Sequence, residues 1–140
     1  MPVHVDYLVL GLGGMGSSAL YHLARRGLKV LGVEQFGIAH YRGSSHGETR
    51  IIRKAYFEHP DYIPLLQRAY TLWEDLEQES GKSLLNLCGL MVAGPPEGDV
   101  IKGVHLAEER HGVQVETLET AEAQRRFPGF QLPEGFEVTF

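Results

Sequence analysis

Two groups of residues near the start of the chain have the types and spacing to do chemistry. The first is Gly11-Leu12-Gly13-Gly14-Met15-Gly16, which directly follows the apolar run Val5-Asp6-Tyr7-Leu8-Val9-Leu10. Gly11 is placed to turn tightly off a strand, and Gly13 to let the backbone approach a pyrophosphate with no side chain in the way. Gly16 lets a following helix pack close to the sheet. The start of that helix offers free N–H groups and the positive end of its dipole to the phosphates. Glu34 lies about twenty residues beyond the glycines, where a carboxylate accepts from both hydroxyls of an adenosine ribose and repels a 2′-phosphate, which argues against NADP. The second group spans residues 43–53. Ser44, Ser45 and Thr49 supply hydroxyls, Gly43 and Gly47 let backbone amides approach a ligand, and His46, Arg50 and Arg53 add cationic or switchable groups. Arginine matches a carboxylate or phosphate bidentately. Arg50 and Arg53 share a face in a helical turn and lie on opposite faces in a strand.

These groups need elements to hold them. Residues 17–26 read as a helix with Ala19, Leu20, Leu23 and Ala24 on one face, stopped by Gly27. Residues 29–33 read as a second strand, so the opening is a βαβ unit of an α/β, Rossmann-type domain. The stretch 36–50 shows neither helical nor strand periodicity, and structureless loops beyond about 12–15 residues are usually functional or disordered. Residues 61–80 are helical in pattern, with Ile63, Leu66, Tyr70, Trp73 and Leu76 read as core packing, Glu74, Glu77 and Glu79 as a solvated face, and Gly81 as the stop. Residues 83–93 read as a strand carrying Cys88 as a small buried hydrophobe, 100–110 as a helix and 113–118 as an alternating strand. Residues 120–127 read as a short helix with Thr120 as N-cap, and 136–140 as a strand just beginning. A boundary is expected near Lys82, with 1–82 the nucleotide-binding part and 83–140 the beginning of an α+β substrate domain. Two parallel strands leave unpaired edges, so the chain reads as the N-terminal part of something larger.

Composition narrows the class. The chain has 140 residues, 22% of them charged, with a net charge of −5. That balance gives no electrostatic case for nucleic acid or an anionic membrane surface. No apolar run approaches the ~20 residues of a membrane span, and the first strand leaves no room for a cleaved signal. One cysteine excludes an internal disulfide and fits a reducing compartment, the cytoplasm. The seven histidines lack HxxxH or HExxH spacing, so no metal site is expected.

The combination of GLGGMGSSALYHLARRG, Glu34, RGSSHGETRIIRKAY, the LWEDLE helix and the RFPG turn resembles the monomeric sarcosine oxidase family, which includes N-methyltryptophan and pipecolate oxidases. The stretch 42–56 is the specific part of the resemblance; the glycine turn is shared with many flavin and NAD enzymes. The resemblance implies FAD and the oxidation of a secondary N-methyl amino acid such as sarcosine with O₂, giving glycine, formaldehyde and H₂O₂. By matching position it places Gly11, Gly13, Gly14, Met15, Gly16, Glu34 and Gln35 along the ADP half of FAD. Arg42, Ser44, Ser45 and Thr49 follow along the cofactor. Arg50 falls beside the flavin ring, where a cation stabilises the reduced flavin, and His46 approaches the ring edge. Arg53 holds the substrate carboxylate. The flavin-tethering cysteine, a second carboxylate-binding base and the lysine that activates O₂ are expected beyond Phe140, so Cys88 is not assigned to the tether. A chain of this length is therefore expected to lack oxidase activity that a longer, monomeric parent has. The alternatives are another FAD-dependent amino-acid oxidase or dehydrogenase, of glycine or D-amino-acid type, or an inert nucleotide-binding fragment. A eukaryotic parent would extend the compartments to the peroxisome.

Overall fold

The computed structural model describes residues 4–140, which divide into two compact units, one ending at Ile51 and the other spanning Ile52–Phe140. The fold is α/β. Among the described residues no helix is long and apolar enough to cross a membrane.

The first unit is the βαβ motif. Strand β1 (Tyr7–Leu10) and strand β2 (Val30–Val33) pair in parallel, from Tyr7 opposite Val30 to Leu10 opposite Val33, and helix α1 (Gly14–Arg25) connects them. The helix begins at Gly14 rather than Ser17, because Gly13 is extended (φ −67°, ψ −168°) and takes the N-cap position. It ends at Arg25, with Arg26 as C-cap followed by Gly27, whose φ of +75° a side chain would strain. His22 and Arg25 in the last turn face the negative end of the dipole. A Cβ on Gly32 would meet Leu20 and Leu12, which fill the space over β2. Residues 34–51 form no helix or strand.

The second unit is built on a three-stranded antiparallel sheet in the order β3-β5-β4. Its strands are β3 (Val92–Gly94), β4 (Thr117–Leu118) and the central β5 (Glu137–Thr139). A 3₁₀ turn at Pro60–Tyr62 leads into helix α2 (Ile63–Ser80); α3 (Asp99–His111) and α4 (Thr120–Arg126) complete it. One core cluster joins Ile63, Ala107 and Val113 with Ala55 and Tyr56; another joins Leu118, Ala123 and Val138 with Phe127 and Leu132. A Cβ on Gly103 would overlap the Phe57 carbonyl, so the glycine lets α3 lie directly against residues 55–57.

Several elements differ from the sequence reading. The strand expected over 83–93 is confined to Val92–Gly94. Upstream of it, Glu77 draws the Leu84 and Leu85 N–H groups to its side chain (2.5 and 2.8 Å), and Gly89 turns at φ +77°. Cys88 is consequently exposed, not a buried strand residue. Glu77 is no idle member of a solvated face: those two N–H groups hold its carboxyl below the ordinary carboxylate range. Trp73 is exposed, and Tyr70 is half-buried with its hydroxyl donating to the Ile52 carbonyl at 3.2 Å. Glu119, not Thr120, caps α4, because the Thr120 hydroxyl donates to the Phe136 carbonyl (2.8 Å). The compact units meet at Ile51 and Ile52, and within the second of them α2 packs with α3.

Candidate functional site

The candidate site lies in the first unit, where β1 runs into α1. Gly11 adopts φ +86°, and its N–H donates to the Val33 carbonyl (2.8 Å), so the turn leaves the sheet as soon as the strand pairing ends. A Cβ on Gly16 would overlap the Gly11 carbonyl, which brings the first turn of α1 hard against the turn. A Cβ on Gly13 would meet nothing within 4 Å. These two glycines thus do different work: one closes a packing contact and the other keeps a face open. The first turn of α1 carries no acidic residue, so nothing of that sign competes with an incoming phosphate. Met15 is almost fully exposed beside it.

Glu34 reaches this turn from the end of β2. One carboxylate oxygen, Oε2, accepts from the Leu12 N–H at 2.7 Å. The other, Oε1, accepts from the N–H groups of Gln35 (2.8 Å) and Phe36 (3.1 Å). The Leu12 hydrogen bond foremost, then that of Phe36, holds the Glu34 carboxyl below its usual range despite some opposing desolvation, and nearby His40 adds to this. The group is therefore anionic at neutral pH, the state that accepts ribose hydroxyls. Sequence spacing marks Glu34 as a candidate ribose acceptor; its three backbone hydrogen bonds within the protein were not legible there.

The loop 43–50 comes back to the helix start. Ser45 Oγ accepts from the Gly14 N–H at 3.1 Å, joining the two groups of candidate residues across 31 positions of sequence. The loop also holds itself. The Gly43 carbonyl accepts from the His46 N–H (3.2 Å) and from His46 Nδ1 (2.6 Å), which leaves Nε2 as the acceptor of the neutral ring. Arg50 Nη1 donates to the His46 carbonyl at 3.2 Å across Gly47, whose φ is +126°. Ser44, Thr49 and Arg50 are exposed. The Arg42 guanidinium lies 4.7 Å from the Phe36 ring centre and 6.0 Å from that of Tyr41.

Arg53 belongs to the second unit. It pairs with Glu58 at 2.8 Å, and its guanidinium carbon lies 4.7 Å and 4.9 Å from the ring centres of Tyr56 and Phe57. Desolvation works against the Glu58 charge, but the Arg53 hydrogen bond and charge hold its carboxyl below the ordinary range. The sequence reading did not single out Glu58. Its position five residues from Arg53 was the available signal. Among the described residues no group of His, Cys, Asp and Glu could hold a metal ion.

An open glycine face, an acid-free helix N-terminus and an anionic carboxylate at the end of the second strand are the donor and acceptor set of a dinucleotide's ADP half. Comparison with known proteins agrees. A family model described as DAO, FAD dependent oxidoreductase, matches residues 6–139. The chain belongs to this FAD-dependent oxidoreductase family. It is 46% identical over 123 residues to the monomeric sarcosine oxidase of Streptomyces avermitilis, covering 88% of this chain and 32% of that protein. It is 40% identical to the monomeric sarcosine oxidase of Bacillus sp. strain B-0618, covering 100% and 36%. To the N-methyl-L-tryptophan oxidase of Yersinia pestis strain Pestoides F it is 36% identical, covering 96% and 36%. The chain thus spans about a third of the length of these relatives. Among solved structures it resembles NikD, an unusual amino acid oxidase essential for nikkomycin biosynthesis, with TM-score 0.76 and 28% identity over 96% of this chain and 35% of that one. It shares its fold with L-proline dehydrogenase from P. horikoshii, with TM-score 0.71 and 20% identity over 99% and 37%. The donor set fits FAD, the cofactor on which the family depends.

Proposed function

We propose that this FAD-dependent oxidoreductase chain holds the ADP half of FAD, and that it is the N-terminal part of an oxidase of N-methyl amino acids. The observation that carries the binding reading is the open face of Gly13 at the acid-free start of α1, beside the anionic Glu34. In this reading the α1 N-terminus and Gly13 receive the pyrophosphate and Glu34 the ribose. Ser44, Ser45, Thr49, Gln35 and Arg42 flank the cofactor. Bound FAD supplies the two-electron acceptor. Arg50 places a positive charge beside the flavin ring and His46 an acceptor nitrogen at its edge, while Arg53 holds the substrate carboxylate and so orients the reacting C–H. Glu58 must then yield Arg53 to the substrate. For sarcosine the balanced reaction consumes O₂ and water and yields glycine, formaldehyde and H₂O₂. The substrate class rests on the names of the relatives, of which the sarcosine oxidases reach 46% identity. We further propose a cytoplasmic, monomeric parent, in keeping with a single cysteine in the chain.

Two measurements test this. Titration of the 140-residue chain with FAD should give saturable binding, and absence of binding contradicts the cofactor assignment. A chimera joining this chain to the remaining part of the S. avermitilis enzyme should release peroxide with sarcosine in preference to glycine or D-alanine. Preference for a primary amine would favour the glycine or D-amino-acid type instead.

A further inference from the structure

Helix α3 carries a glycine, Gly103, well inside its length, where glycine weakens a helix relative to alanine. What lies on it explains the choice. A Cβ there would overlap the Phe57 carbonyl oxygen and lie 2.7 Å from the carbonyl carbon and Cα of the same residue. The obstacle is backbone, which cannot swing aside as the end of a long side chain can. One turn further along the same face, Ala107 is fully buried in the cluster against which Ala55 and Tyr56 pack. The segment 55–57 is thus laid along α3 and held there at two points. Tyr62 braces Tyr56 as well, with ring centres 5.2 Å apart and planes at 47°.

This seating sets the surroundings of Arg53. The guanidinium carbon lies over both rings of the seated segment, 4.7 Å from the centre of Tyr56 and 4.9 Å from that of Phe57. Aromatic rings hold a guanidinium by its face and leave its N–H edge for hydrogen bonds. Glu58, the next residue of the segment, takes Nη2 on that edge at 2.8 Å. Both rings and the competing carboxylate therefore belong to a stretch whose place α3 sets. We propose that Gly103 is a positioning residue for Arg53: by admitting the Phe57 backbone it seats the two rings beneath the guanidinium and so fixes its N–H edge for a carboxylate. The inference rests on the reading of Arg53 as the group that holds the substrate carboxylate. It adds what fixes that group, a glycine fifty residues further along the chain.

The test is NMR of the 140-residue chain with labelled arginine side chains, using acetate as the probe carboxylate. Protons over a ring face resonate upfield, so the wild-type Arg53 Nε–H should lie upfield of that of the exposed Arg68. Gly103→Ala should move it downfield towards that value and bring the titration of the Glu58 carboxyl closer to that of an ordinary glutamate. In the Glu58→Gln background, which removes the competing charge, acetate should shift the Arg53 resonance saturably. Adding Gly103→Ala there should weaken acetate about fivefold or more. Phe57→Leu leaves the backbone on Gly103 and deletes one ring; it should move the resonance part of the way downfield, while Phe57→Tyr keeps it in place. This pair serves if Gly103→Ala does not fold, and a resonance unmoved by Phe57→Leu overturns the inference. A Gly103→Ala chain that melts lower yet keeps the wild-type Arg53 resonance, Glu58 titration and acetate affinity shows a merely structural role. That result overturns the positioning claim and leaves the carboxylate reading of Arg53 intact. Acetate that fails to shift Arg53 in Glu58→Gln overturns the carboxylate reading, and this inference with it.

Discussion

At the scale of single residues, two glycines three residues apart in the same motif make opposite predictions. Gly16 has no room for a Cβ against the Gly11 carbonyl, whereas Gly13 faces open space. Gly16→Ala should therefore lower the stability of the first unit by about 1–3 kcal/mol through overpacking. Gly13→Ala should cost at most about 1 kcal/mol at the N-cap, yet weaken FAD binding by placing a methyl where a phosphate approaches. Thermal melts and FAD titrations of the two variants separate the effects; equal losses of stability would contradict the division of roles. Arg53 and Glu58 supply a second residue-scale prediction. Because Glu58 occupies the guanidinium at 2.8 Å, Glu58→Gln in the S. avermitilis chimera should lower KM for sarcosine severalfold, and Arg53→Lys should raise it. An unchanged KM in both removes Arg53 from the carboxylate role. The glycine turn was legible because its constraints are local to six residues. The Glu58 partner was not, since which acid an arginine meets is set by the folded path of the intervening chain.

At the scale of elements, α3 is tied to β5 by His105, whose Nε2 contacts the Glu137 carboxylate while Nδ1 lies 3.5 Å from Glu108. The Glu137 hydrogen bond chiefly, against some desolvation and with help from Glu108, raises the His105 pKa above its ordinary 6.5. A folded pKa above the unfolded one means a contribution present in full below pH 6.5 and lost as pH rises through the folded value. Wild-type Tm should thus fall from about pH 6 to pH 9 more than that of His105→Gln; parallel profiles would sink the latch. Helices were the legible elements: α2 and α3 follow their apolar spacing to within a residue or two of the expected bounds. Strands were less so. Residues 84–91 have a strand's composition, but strand pairing is decided by distant partners, and here Glu77 and the Gly89 turn divert the backbone first. Thr120 misled for a related reason, its hydroxyl being taken by Phe136, sixteen residues away.

At the scale of the whole molecule, the first unit has a two-stranded sheet whose Leu8, Leu10, Leu31 and Val33 are exposed. Such a sheet is marginal by itself, and the chain spans only about a third of its relatives' length. Amides of β1 and β2 should accordingly exchange faster than those of β5 and α3, which border the buried Val138 and Ala107. The α/β class and the family were legible in the motif order, while the packing of α2 with α3 was not, because it depends on contacts between residues distant in sequence. Cofactor binding to the first unit should add its free energy to that weak region. The most direct measurement of the central claim is hydrogen exchange of the chain with and without saturating FAD. New protection should gather at residues 11–16, 34–36 and 42–50; no protection, or protection confined to residues 52–140, would contradict the assignment of the cofactor's ADP half to the glycine turn and Glu34.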